Sequence, residues 1–503
     1  MSQAFMEKFD IIIIGSGLSG LQCGYILSKE GFKVCILEQH KQIGGCLQNF
    51  TRDNCVFDTG VHFIGGLDEG QVMNRYFKYF GLLDKLDLKR MDNDGFDRVN
   101  FANDPLEYKF AMGHENFVET LCEHFPSERK SLEKYVNKLK DICNHFPLYN
   151  IRNKDFQVSE IQLFSENAFD YLKSITDNYK LQNVIAASNP LYAGIPHKTP
   201  LYVHALVNNS FIESSWRVVR GSSKIAKVLA DSIIQNGGTI LKNSKAEQFI
   251  FENKSLTGVK LSGGETYSSK YFISSIHPSK TLEMVDKSCI RSAYRERIMN
   301  LENTTSNFIL YIVFKENSFE YLNHNVYFYK EDNVWQAHDN SGKDWPYNYL
   351  LITPSSAHKQ KYADCATILT YMGMDEVRKW ENTTIEKRGD DYLKFKQEKA
   401  EQLLDTVEIR FPGFRKTIKK YYSSSPLTFR DYTGTVDGSI YGVVKDCNEP
   451  LKTLIMPRTK IPNLLLTGQS IILHGVLGVT IGAVTTCAEL LGMKYLVDKI
   501  NNT

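Results

Sequence analysis

Three glycines in "IIIIGSGLSGL", at positions 15, 17 and 20, have the spacing G-x-G-x-x-G. An apolar run, Ile11 to Ile14, leads into them, and a helix-forming stretch follows. In that context Gly15 permits the tight turn. Gly17 lets the backbone approach a pyrophosphate, and Gly20 allows close helix–strand packing. The turn's other residues, Ser16, Leu18 and Ser19, share a helix N-terminus whose free N–H groups and dipole favour phosphate. Glu38 follows 18 residues after Gly20, at the end of a second apolar run, with Gln39 beside it. Its carboxylate can accept hydrogen bonds from an adenosine ribose. The same carboxylate would repel the ribose phosphate of NADP, so FAD or NAD is the expected ligand.

More glycines follow in "GGCLQNF" (44–50) and "FDTGVHFIGG" (57–66). Gly44, Gly45, Gly60, Gly65 and Gly66, with Cys46 and Val61 among them, would let a long extended cofactor lie against backbone. Ordinary hairpin turns would use such glycines too. His62, inside the second segment, could face the cofactor, donate a proton to substrate or simply satisfy a tight loop. His474 stands in the turn before the last helix. Tyr432 and Tyr441 flank "TGTVDGSI" and are candidate proton donors, with packing as the plainer role. The sequence offers no metal-ligand cluster, no G-x-S-x-G elbow and no P-loop.

The stretch "IIIIGSGLSGL…ILEQHKQIGGCLQNF…FDTGVHFIG" resembles the phytoene desaturase and carotenoid isomerase superfamily of FAD oxidoreductases. Within it, the all-trans-retinol 13,14-reductase (retinol saturase) branch is the most similar. "VVRGSSKIAKVLADSIIQNGG" fits the superfamily pattern, and "SSPLTFRDYTG" (424–434) and "IPNLLLTGQSIILHGVLGVTIGA" (461–483) are similar to segments of that branch. The regions 75–210 and 285–415 carry little that matches. The resemblance implies FAD, held at its pyrophosphate by Gly15, Gly17 and Gly20 and at its ribose by Glu38. It implies that backbone near Ala246 passes adenine and that Gly468 and Gln469 approach the flavin phosphates and ribityl chain. Gly475, Val476 and Leu477, opening the last helix, would point N–H groups at the flavin ring.

The implied reaction is reduction of a carbon–carbon double bond in a hydrophobic isoprenoid or polyene lipid. Desaturation of a carotenoid-like chain and cis–trans isomerisation would need the same apolar tunnel. A flavin amine oxidase acting on a soluble substrate, and a non-catalytic flavin-binding escort protein, are further alternatives. No second G-x-G-x-x-G occurs, so NADPH or NADH would have to dock transiently at the flavin, without a domain of its own.

These residues need scaffolding. The implied fold is α/β: a Rossmann-type FAD-binding domain in discontinuous segments (1–75, 215–285 and 430–503). A mixed α/β substrate domain with a helical cap (76–214 and 286–429) is inserted, as in amine oxidases and phytoene desaturases. Patterning predicts strands at 10–14 and 33–37, a helix over 18–30, and short strands around Val56 and Val61. It predicts a mainly helical stretch from 71 to 215. There Ile161, Phe164, Ala168, Leu172 and Ile175 mark one amphipathic helix in "EIQLFSENAFDYLKSIT". Further strands are expected at 239–243, 245–251, 256–261, 270–276 and 307–314. A helix is expected over 390–408, and a strand, loop and closing helix over 462–500.

Composition excludes several classes. With 60 basic and 58 acidic residues and no basic block, nucleic-acid binding has no support. The 10 cysteines are scattered without a CxxC pair. Cys46 and Cys55, the closest in the cofactor region, are too far apart for a thioredoxin-like couple. A reducing, cytoplasmic setting is expected. No run of 18 apolar residues occurs, so no membrane span is expected, while attachment at a membrane surface stays open. The 12% aromatic content suits an apolar cavity and an aromatic core equally. Nothing in the sequence bears on oligomeric state.

Overall fold

The computed structural model describes residues 7–153, 161–338 and 344–503. Its first sheet has seven strands and is built around Glu7–Ile14. Val34–Leu37 and then Thr239–Leu241 lie on one side of that strand, and Thr266–Ser274 lies on the other, all parallel. Ser255–Leu261 pairs antiparallel with one end of Thr266–Ser274, and Leu464–Leu466 pairs parallel with the other. Ala246–Glu252 forms the edge.

The apolar run at the centre is explained by burial on both faces. Ile11 and Ile13 pack with Leu21, Ile26, Leu229 and Val484, from three helices on one face. These helices are Leu18–Lys29, Ser223–Gln235 and Gly475–Leu491. Ile12 and Ile14, with Phe272 and Leu464 beside them, pack on the other face in a cluster with Leu282, Ile298 and Ile455.

The second sheet also has seven strands. In order these are Ile418–Ser424, Ser306–Phe314, Cys365–Met372, Asn348–Ile352, Asn325–Tyr329, Asp97–Phe101 and Asp104–Phe110. All neighbours are antiparallel except Asn325–Tyr329 with Asp97–Phe101. Phe308, Leu310, Ile368 and Met372 cover one face and pack on Leu403, Leu404 and Val407 of helix Asp390–Arg410. The other face looks into the cavity described below. The chain therefore has a Rossmann-like unit joined to mixed α/β structure.

Three expectations are corrected and one gains an addition. The described part of the stretch 71–215 is mainly helical, as expected, and it also supplies strands Leu88–Arg90, Asp97–Phe101 and Asp104–Phe110. The predicted helix of "EIQLFSENAFDYLKSIT" is two helices, Ile161–Ser165 and Ala168–Ile175. Asn167 separates them, because its side-chain oxygen accepts the Asp170 N–H at 3.0 Å and caps the second helix. Phe164, Ala168, Leu172 and Ile175 are buried as the spacing implies, while Glu160 and the Ile161 side chain lie outside the described residues. Val61 is in no strand; the short strand is Ile64–Gly65, paired with Ser215 and Trp216. The closing helix ends at Leu491, and a second one, Met493–Asn501, starts after Gly492 at φ +89°. Among the described residues no helix is long and apolar enough to cross a membrane.

Candidate cofactor and substrate cavity

The glycine turn is shaped by contact and by φ. Gly15 sits at φ +92°, in the region that favours glycine. A Cβ on Gly20 would stand 2.1 Å from the Gly15 carbonyl oxygen, so only glycine lets the helix pack there. A Cβ on Gly17 would meet nothing within 4 Å. Its open side faces the cavity at the N-terminus of helix Leu18–Lys29. Glu38 is buried beneath this turn. Its carboxylate accepts the Ser16 N–H at 3.0 Å and the His40 N–H at 2.8 Å. Spare lone pairs remain for a ribose. The second glycine pair closes on the first: Gly44 N–H donates to Ser16 O at 3.0 Å, and a Cβ on Gly45 would lie 3.1 Å from the Gly17 Cα.

Asp58, which the sequence reading passed over, ties the next segment in place. It accepts the Ser222 N–H and hydroxyl, each at 2.7 Å, joining strand Cys55–Asp58 to the start of helix Ser223–Gln235. Burial pushes this carboxyl up to about 6.

A cavity of about 670 Å³ runs from the glycine turn to the second sheet. Every cofactor candidate named above lines it except Gly20, which packs beneath its wall, and Gly66, whose N–H donates to Ser214 O at 2.8 Å behind it. Away from the glycines the lining turns apolar, with Met73, Leu206, Phe211, Leu350, Leu369 and Phe429. The open approach at Gly17, the carboxylate under the turn and the free helix N-terminus fit a flavin or nicotinamide dinucleotide.

The four catalytic candidates fall in different places. His62 lines the cavity, and neither ring nitrogen has a partner although both are buried. Burial, with the nearby Arg217 charge, pushes its pKa down to about 4, so the ring is neutral at pH 7. His474 is the N-cap residue of helix Gly475–Leu491 and donates through Nε2 to Leu191 O at 3.2 Å. Burial brings it also to about 4. Tyr441 donates to Pro190 O at 3.0 Å, and Tyr371 donates to Asn189 O at 3.3 Å. Three consecutive carbonyls, 189 to 191, are thus each held by a cavity-lining ring. Tyr432 is 46% exposed and stacks on His40 at the cavity mouth, with centroids 6.1 Å apart. Tyr432 lines the cavity there, a place that suits the packing role.

A transverse polar row escaped the sequence reading. Asn307 is in register with Tyr371, and the Leu350–Leu369 pairing sets Asn348 opposite Tyr371 from the other side. All three line the cavity, and the Asn348 side-chain oxygen is buried without a partner. Only strand register could have revealed it.

Comparison with known proteins agrees with this geometry. The family model of an NAD(P)-binding Rossmann-like domain matches residues 13–80. The chain is 25% identical to the all-trans-retinol 13,14-reductase of Rattus norvegicus, covering 98% of this chain and 87% of the relative. It is 25% identical to a 4,4'-diapophytoene desaturase (4,4'-diapolycopene-forming) of a Methylomonas species, over 69% of each. A putrescine oxidase variant with a redesigned cofactor site superposes with a TM-score of 0.66 at 13% identity, covering 96% of this chain and 99% of that one. The chain thus has an NAD(P)-binding Rossmann-like domain, is similar over nearly its whole length to retinol saturases and over two thirds to a diapophytoene desaturase, and shares its fold with a putrescine oxidase.

Proposed function

We propose that this protein is an FAD-dependent oxidoreductase that reduces a carbon–carbon double bond of an isoprenoid or polyene lipid, in the manner of a retinol saturase. The observation that carries the reading is one continuous cavity with two characters. Its glycine and Glu38 end suits a dinucleotide, and its apolar end suits a long hydrocarbon.

FAD, when bound, supplies the hydride equivalent. The chain supplies the rest. Gly15 and Gly17 admit the pyrophosphate to the amides of helix Leu18–Lys29, and Glu38 holds the ribose. The N-terminus of helix Gly475–Leu491 sets a positive dipole against the flavin end of the cavity. Met73, Leu206 and Phe211 exclude water and align the hydrocarbon. Of the candidate donors inside the cavity, only His62 has uncommitted ring nitrogens, so it orients the proton source, a side-chain N–H or a held water. NADPH or NADH is the proposed transient reductant. A lipid substrate also favours work at a membrane surface in the cytoplasm.

The similarity to a diapophytoene desaturase supports a second reading, removal of hydrogen from the same kind of chain. An anaerobic absorbance titration of the FAD-loaded protein with NADPH, then NADH, separates the two. Bleaching of the oxidised flavin band followed by its return on adding a polyene is expected for the reductase. A band that persists with both nucleotides overturns it in favour of desaturation. Absence of any flavin band after FAD is supplied overturns both.

A further inference from the structure

Lys445 carries its amino group inside the protein, behind the wall of the cavity. The side chain is buried, and its Nζ donates to Ile471 O at 2.7 Å, Ser470 O at 2.8 Å and Thr453 O at 3.3 Å. Three carbonyls satisfy its three donors, yet no carboxylate among the described residues pairs with it. The neighbouring Asp446 turns away and accepts the Asn448 N–H at 2.8 Å. Burial pushes the ammonium down to about 7. A cation kept in the interior without a counter-ion is costly, and the cost is offset when a negative charge arrives nearby.

Two of the gripped carbonyls belong to the turn Gly468–Ile471, and Gly468, Gln469 and Ser470 of that turn line the cavity. The segment carrying Lys445 is packed hard against the turn, since a Cβ on Gly442 would lie 2.3 Å from Ser470 Oγ. The turn leads to His474 and the N-terminus of helix Gly475–Leu491, which presents a partial positive charge to the same wall. His474 is a titratable group held low chiefly by burial, with the Lys445 charge as a smaller contribution in the same direction. Two positive sources therefore back one stretch of wall, and the carbonyl oxygens of residues 470 and 471 are drawn towards the lysine.

We propose that Lys445 is a positioning residue that holds the turn 468–471, and through it His474 and the N-terminus of helix Gly475–Leu491, and whose charge favours a negative charge on a flavin ring reduced at that N-terminus. The inference rests on the FAD reading above. It assigns to Lys445 an effect on flavin potential as well as on structure.

The test compares FAD-loaded wild type with K445Q, K445M and K445R. K445Q keeps a donor and drops the charge, while K445R keeps the charge. The potential of bound FAD is measured by equilibration with a reference dye, and affinity for sulfite, which adds to flavin and leaves it negatively charged, is read by bleaching. The neutral variants should show a more negative potential and at least tenfold weaker sulfite binding, with K445R near wild type. Unchanged potential and sulfite affinity in a folded, FAD-loaded K445Q overturn the inference and leave a structural clamp. Should neither neutral variant fold, the potential of bound FAD in wild type and H474F is followed from pH 6 to pH 9. A break in its slope that H474F retains supports Lys445, and its absence from H474F overturns the inference. A wild type that takes up no FAD refutes the functional reading, which is a separate outcome.

Discussion

The rings of Tyr441 and His474 lie 4.2 Å apart, and the two side chains donate to successive carbonyls, those of Pro190 and Leu191. Both donors are spent on the backbone, so their first task is to hold the turn Asn189–Leu191 over the cavity. Y441F should then lower kcat less than tenfold, retain FAD and cost about 1 kcal/mol of stability. Chemical denaturation and single-turnover kinetics check this. A hundredfold loss in kcat with stability intact would return the phenol to the role of proton donor.

Gly17 and Gly20 separate ligand binding from folding. The φ of Gly17 is −60° and its Cβ position is empty, so G17A should fold with stability within about 1 kcal/mol of wild type and lose FAD. G20A forces a carbon onto the Gly15 carbonyl and should cost about 3 kcal/mol. Thermal melts and flavin content of the two purified variants provide the comparison. A G17A protein that keeps its full flavin complement would move the pyrophosphate away from this turn.

Asn348 offers an acceptor to whatever fills the apolar end. A site built to bond a substrate hydroxyl discriminates strongly against the hydrocarbon that lacks it. N348L should therefore raise KM for an alcohol-ended polyene at least tenfold, roughly 1.4 kcal/mol, and leave a matched hydrocarbon untouched. Equal effects on both substrates would mean that the residue only shapes the cavity.

His204 sets an acid limit on the fold. Its ring nitrogens bond the hydroxyls of Tyr135 at 2.8 Å and Tyr192 at 2.9 Å, and burial pushes its pKa from 6.5 down to about 3. The folded state therefore binds fewer protons than the unfolded state between these values. Its contribution is fully present above pH 6.5 and is lost as pH falls towards 3. H204F should be less stable than wild type at pH 7.5, and the gap should narrow steadily by pH 4.5. Parallel denaturation curves at the two pH values check the sign.

The strand–turn–helix at the N-terminus was legible because its signals are local: an apolar run, three spaced glycines and an acidic residue at the next strand's end. Strand Asp97–Phe101 was not: it forms a hairpin with Asp104–Phe110, but charged residues interrupt the alternation in both runs, and its other partner, Asn325–Tyr329, is more than 200 residues away. Tyr432 and Tyr441 look equivalent beside one glycine-rich segment, yet one emerges at the mouth and the other turns inside. Lys445 reads as an ordinary surface lysine until its three carbonyl partners are seen. The Asn307–Tyr371–Asn348 row exists only across three strands, so no single segment contains it.

The first sheet takes its last strand from Leu464–Leu466, which pairs with Phe272–Ser274, and the helix Gly475–Leu491 then packs on the first helix. During synthesis, the glycine turn leaves the ribosome more than 440 residues before the wall that faces it. The emerging chain must therefore wait with an unfinished pocket, and any cofactor is captured securely only after residues 464–491 have been made. Cofactor supply in the surrounding compartment, rather than the pace of elongation, would then govern how much of the newly made protein becomes functional.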